Sequence, residues 1–191
     1  MTANKRRSSN GFTLIELLVV LGIVGLLLAA ALPSFHQYQQ TQRLTTAADH
    51  FLVALNLARS EAIQRRTRVD LAPLDNRDWH SGWIVFIKTA DNSAPGFHPG
   101  DTILYSHTQL ASDLRISARL TDSEAPYIAY NGNGRTRTNA SALSRQWGSW
   151  QFSLAGQVRL IRINLAGRAR LCNPANDRTC QLVSNSDSNL D

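Results

Sequence analysis

The pattern of apolar and polar positions divides the chain into three stretches. Residues 1 to 11 are polar, with Lys5, Arg6 and Arg7 among them. From Phe12 an apolar run continues through Leu14, Ile15 and Leu17 to Leu32, broken mainly by Glu16, and stops at Pro33. Phe12 to Leu32 is 21 residues. At about 1.5 Å per residue such a helix is roughly 31 Å long, which matches the hydrocarbon thickness of a bilayer. The run predicts one membrane-spanning helix half over 12–33. Basic residues on its N-terminal side alone would keep that end in the cytoplasm and place the rest outside it.

Beyond Pro33, Leu44, Ala48, Phe51, Leu52, Leu55, Ala58 and Ala62 recur at spacings of three and four. Gln37, Gln39, Gln40, Arg43, Asp49, Arg59 and Arg65 fall mostly between them. That period predicts an amphipathic helix half over 34–66. From Thr67 the pattern shortens to strands near 67–72, 83–89, 102–107, 114–119, 127–131, 149–154, 158–164 and 168–172. Loops are expected at 90–101 and 131–148, where Gly, Pro, Asn and Ser collect. One long helix followed by many short strands implies an α+β fold, with antiparallel sheet packed on the amphipathic half. The globular head would cover 67–183, and the polar, acidic 184–191 would be a flexible tail. The chain shows no internal repeat.

With 191 residues, 43% apolar and 18% charged, the composition suits one globular domain plus an appendage. A mean hydropathy of −0.22 excludes a polytopic membrane protein. The net charge is +6, and Lys5 and Lys88 are the only lysines, so the positive charge is almost all guanidinium. Arginine favours planar, two-pronged contact with phosphate or carboxylate. The excess is local: nine arginines lie between Arg115 and Arg170, against Asp122 and Glu124.

Catalytic chemistry is not apparent. His36, His50, His80, His98 and His107 show no metal-ligand spacing, and Asp75, Asp78 and His80 read as turn chemistry. No nucleophile motif or phosphate-cradling glycine loop is present, so the expectation is no enzyme, no cofactor and no metal. Cys172 and Cys180 either close a short disulfide loop, the natural reading outside the cytoplasm, or remain two separate thiols.

Val158 to Leu171 reads as two strands joined at Leu165-Ala166-Gly167. Alternation would place Arg168 and Arg170 on one face, about 6.5 to 7 Å apart, close to the spacing of successive phosphates. Arg135 and Arg137 in the Asn/Gly loop, and Arg159 and Arg162 in the hairpin, would support them, with Trp147 or Trp150 stacking a base. Alternatively the arginines protect an edge strand from aggregation.

Glu16 is costly in an apolar segment unless it meets a cation. An ordinary signal peptide cut near Ala29-Ala30-Ala31, or a plain anchor, would leave Glu16 without a purpose. The order of basic leader, Gly11, Phe12-Thr13-Leu14-Ile15-Glu16, apolar run and Pro33 resembles the processing site of type IV pilins and the pseudopilins of type II secretion. That resemblance implies cleavage by a prepilin peptidase between Gly11 and Phe12 and N-methylation of Phe12. It also implies pairing of Glu16 with a neighbouring subunit during assembly. Loss of residues 1–11 would leave a charge of +3.

Arg59-Ser60-Glu61-Ala62, Gly82-Trp83-Ile84-Val85-Phe86, Phe152 with Gly156, and Gly167-Arg168-Ala169-Arg170-Leu171-Cys172 are similar to the GspH/FimT branch of that superfamily. The resemblance implies a minor pilin whose Gly167, Arg168 and Arg170 bind DNA, without sequence preference, for uptake in natural transformation. Its other expected partners are further pilins, the prepilin peptidase and the inner membrane through 12–32, with the head in the periplasm and later in a pilus. The alternative is a GspH-like minor pseudopilin of type II secretion, or an assembly-priming minor pilin, with a purely structural role.

Overall fold

The computed structural model describes residues 13–89, 94–108, 110–122 and 125–180, the side chains of 30–34 excepted. The expected cleavage pair Gly11 and Phe12, the leader and the tail 184–191 lie outside these residues. A single helix, α1, spans Leu14–Arg65. Thr13 caps it: its hydroxyl accepts the Glu16 amide at 3.3 Å and its carbonyl accepts the Leu17 amide at 3.2 Å. At the far end Arg66 adopts a left-handed conformation (φ 53°), the Thr67 amide donates to the Ala62 carbonyl and the Arg66 amide to that of Ile63. This paired closure explains why the helix stops there.

Two compact units divide at Gln39/Gln40. The first contains the exposed apolar positions of α1, Leu14 to Leu28. Among the described residues no helix is long and apolar enough to cross a membrane. The run Phe12–Leu32 passes beyond the described side chains at both ends.

The second unit holds the remainder of α1 and nine strands. One antiparallel sheet contains β1 (Val69–Pro73), β2 (Trp83–Ile87), β3 (Thr102–His107), β5 (Ile128–Tyr130) and β6 (Thr136–Arg137), in the order β3-β2-β1-β5-β6. The other contains β4 (Arg115–Leu120), β7 (Gly148–Leu154), β8 (Gln157–Ile163) and β9 (Ala169–Cys172), in the order β4-β7-β8-β9. The expected α+β, pilin-like arrangement is therefore present. The two-residue β6, inside what reads as loop, and the 3-10 turn Trp79–Ser81 are additions to it.

Leu44, Ala48, Phe51, Leu55, Ala58 and Ala62 form the buried stripe of α1 and meet Val69, Leu71, Val85 and Tyr130 from one sheet and Trp150, Phe152 and Ile161 from the other. Phe51 is the hub, with the rings of Trp79, Trp83, Trp150 and Phe152 at 5.3, 5.0, 5.1 and 5.6 Å. Alanines at 48, 58 and 62 let both sheets approach the helix while the aromatics fill the space between, which is how a small domain reaches interior packing density.

Candidate functional site

The outer face of the β4-β7-β8-β9 sheet carries the arginines. Trp150, Phe152, Ile161 and Ile163 alternate inward, so Ser149, Arg162 and Arg170 point the other way. The register aligns Arg119 with Ser149, Ser149 with Arg162, and Arg162 with Arg170, in one row across the sheet. Trp147 and Asn164 precede and follow their strands by one residue, and the Asn164 amide donates to the Arg168 carbonyl at 3.1 Å. Trp147, Asn164 and Arg168 thus form the adjacent row. Trp147, Arg162, Asn164, Leu165, Arg168 and Arg170 line one open groove of about 620 Å³.

One turn lines it through Asn164, Leu165 and Arg168, and a second turn of the same construction adjoins that one. Asn131 and Asn164 each accept two amides on the side-chain oxygen, from Asn133 and Arg135 in one turn (3.0 and 3.1 Å) and from Ala166 and Arg168 in the other (3.1 and 3.0 Å). In each, a glycine amide returns to the asparagine carbonyl at 2.8 Å, Gly134 to Asn131 and Gly167 to Asn164. Both glycines have positive φ, 69° and 77°, and each is followed by an exposed arginine, Arg135 or Arg168. A Cβ on Gly167 would stand 2.4 Å from the Gly134 carbonyl oxygen and 3.4 Å from Arg135 Cα, so the turns abut. Arg59 of α1 anchors the Asn131 turn by donating Nε to the Gly134 carbonyl at 2.9 Å. The motif Asn-x-x-Gly-Arg therefore occurs twice, a repeat of five residues that is far too short to mark a repeated domain.

Cys172 and Cys180 are joined in a disulfide. They cover Leu160 to form a small satellite cluster on the outer face. In chain-entropy terms a closure of this length is worth about 2.5 kcal/mol. The loop it closes touches the arginines. Arg170 donates Nη2 to Asp177 Oδ2 at 2.5 Å and Nη1 to the Thr179 hydroxyl at 3.2 Å. Arg162 reaches the Thr179 carbonyl at 3.5 Å. The Thr179 hydroxyl, its amide and then Arg170 hold the Asp177 carboxyl below the usual carboxylate range. Arg168 is exposed and forms no ion pair among the described residues.

Three expected contributors lie elsewhere. Trp150 is fully buried against Phe51 and cannot stack a base, whereas Trp147 is 49% exposed on the groove. Arg159 sits opposite Phe152, on the inward side of β8, where it lines a separate hollow with Thr41 and Asn173. Arg137 shares a row with Ala129 and Asp70 on the far side of the other sheet and donates Nε to the Thr138 carbonyl at 3.1 Å. Burial, then the neighbouring Arg68, lowers its pKa. Arg119 enters the row by register, although in the sequence it reads only as one more charge.

Glu16 is exposed in the first turn of α1, where a carboxylate also favours the positive end of the helix dipole. Among the described residues no group of three or more His, Cys, Asp or Glu could hold a metal ion.

In comparisons with known proteins, the family "Type II transport protein GspH" matches residues 47–167 and the "Prokaryotic N-terminal methylation motif" matches residues 6–32. No curated protein matches the chain. Among solved structures, two crystal forms of the type IV minor pilin FimU of Pseudomonas aeruginosa (strain PAO1) are similar at 20% identity, with TM-scores of 0.54 and 0.50. They cover 72% and 69% of this chain and 94% of FimU in each case. The minor pseudopilin EpsH from the Type 2 Secretion System of Vibrio cholerae is similar at 17% identity and a TM-score of 0.49, over 69% of this chain and 98% of EpsH. The helix, the two sheets and the matched region together show that the chain belongs to the GspH family within the type IV pilin and pseudopilin superfamily.

Proposed function

We propose that this chain is a minor type IV pilin whose head binds DNA and takes part in its uptake during natural transformation. The precursor is anchored in the inner membrane through 12–32 with its head in the periplasm. Prepilin peptidase cuts it between Gly11 and Phe12, Phe12 is N-methylated, and the subunit joins other pilins with Glu16 paired to a neighbour. The division into leader 1–11, membrane half 12–33, amphipathic half 34–66, head 67–183 and tail 184–191 follows from that course. No reaction is catalysed.

One observation carries the DNA assignment: Arg162, Arg168 and Arg170 converge with Trp147 on a single groove. Guanidinium forks beside an exposed indole suit a phosphate backbone with a stacked base. Arg135, brought alongside by the turn contact, supports them. Arg137 and Arg159 take no part. Neutralised phosphates release counterions, so binding is independent of sequence and weakens steeply with salt.

The test is a fluorescence-anisotropy titration of labelled DNA at several salt concentrations, using the full chain in an uncharged detergent. Salt-sensitive binding that Arg168→Gln/Arg170→Gln reduces at least tenfold supports the proposal. Equal binding by both proteins moves the site away from the groove. Absence of binding at low salt favours the second reading, a minor pseudopilin of type II secretion with a structural role. That reading is supported by the Arg170–Asp177 pair, which exemplifies the carboxylate partners that neighbouring subunits would offer these arginines.

A further inference from the structure

We infer that Asp177 occupies the place of a phosphate at Arg170 and acts as a built-in competitor that limits the affinity of the groove for polyanions. This presupposes the polyanion site proposed above. The two terminal nitrogens of Arg170 are both engaged, Nη2 by the Asp177 carboxylate at 2.5 Å and Nη1 by the Thr179 hydroxyl at 3.2 Å. A bound phosphate would offer two oxygens to that same fork. Asp177 is held in position independently of the arginine. Its other oxygen accepts the Thr179 amide at 2.9 Å and the Thr179 hydroxyl at 2.6 Å, and the disulfide Cys172–Cys180 closes the loop around it. Tethering maintains a high local concentration of carboxylate at the site.

The pair is weak enough to yield. Arg170 is 63% and Asp177 26% exposed, and ion pairs open to water contribute little. Asp177 also has a structural use, since Arg162 and Arg170 face each other directly in the register and like charges so placed repel. A phosphate serves that use equally well, so the carboxylate can be exchanged for a ligand without leaving the arginines opposed. Arg168, in the neighbouring row, has no such partner among the described residues and makes the unopposed first contact. When a phosphate displaces Asp177 it sheds its counterion, but the freed carboxylate takes one up in turn, so the arginine is nearly silent in the salt dependence.

The experiment titrates a labelled single-stranded oligonucleotide between 50 and 200 mM salt against the full chain, Asp177→Asn, Arg170→Gln and the double variant. Asp177→Asn is expected to bind about three- to tenfold more tightly at low salt, with a log–log salt slope steeper by about 0.7, the value for one further phosphate on a single strand. The gain should vanish when Arg170→Gln is also present. A merely structural Asp177 would leave the slope unchanged. Equal or weaker binding by Asp177→Asn, with the wild type binding normally, overturns the competitor alone, whereas failure of every protein to bind removes the polyanion site as well. Should Asp177→Asn fail to fold by circular dichroism, Asp177→Ser, which keeps an oxygen for the Thr179 amide, carries the same expectation.

Discussion

Gly167 lies so close to Gly134 that a Cβ on it would come within 2.4 Å of the Gly134 carbonyl oxygen. This contact presses two like turns together and brings the Arg135 backbone against Gly167, the residue before Arg168. The glycine that opens the Gly-Arg-x-Arg segment is thus explained by backbone geometry, whatever the arginines bind.

Gly167→Ala should therefore cost about 1–3 kcal/mol, from the positive φ and the displaced turn. Chemical denaturation measures the loss. DNA affinity should fall with it although no charge has changed, because the displaced turn would carry Arg168 out of its place on the groove. An alanine tolerated without loss would mean that the two turns can move apart freely.

Trp147 on the groove and Trp150 in the core should respond oppositely. Trp150→Ala empties the space around Phe51 and should cost about 3–5 kcal/mol. Trp147→Ala should change stability by less than about 0.5 kcal/mol, as exposed substitutions do, while reducing affinity for single-stranded DNA. Melting curves and titrations on the two variants check both halves.

His107 lies flat on Trp83, with ring centroids 4.3 Å apart, and meets His50 edge-on at 5.2 Å. Burial first, and His50 second, lower its pKa from the ordinary 6.5. The unfolded chain then binds this proton more readily than the folded one, so its contribution to stability is intact above 6.5 and is lost as the pH falls towards the lowered value. The melting temperature should drop on acidification from pH 7 to 5, and His107→Gln should flatten that part of the profile. A wild-type profile that is flat over the same range would sink the prediction.

Much of this architecture was legible because the two hydrophobic periods are strong: three-and-four spacing from Leu44 to Ala62 and alternation along the longer strands. What escaped did so for identifiable reasons. Strand β6 has two residues and exists only because Ala129 and Tyr130 pair with it, a long-range fact with no local signal. The inward place of Trp150 was available in the alternation of Trp150, Phe152 and Leu154 with Ser149, Gln151 and Ser153, and parity with Ile161 and Ile163 likewise turns Arg159 inward. The charge of an arginine carries no information about its face, which the parity of its strand alone sets. The contact between the Gly134 and Gly167 turns could not be read locally, since it depends on two distant segments meeting across the fold.

The edge strand β9 also bears on how such a head could change over time. The family match ends at Gly167, and Arg168, Arg170, the Asp177 carboxylate and the disulfide all follow it. Among the described residues β9 pairs with β8 alone, and the segment adds only the half-buried Ala169 and Leu171 to the main core. So long as those two positions stay small or apolar, residues 168–180 form a replaceable tip. A filament could acquire or discard an affinity by rewriting a dozen or so residues at the end of the chain, without renegotiating the scaffold that carries them.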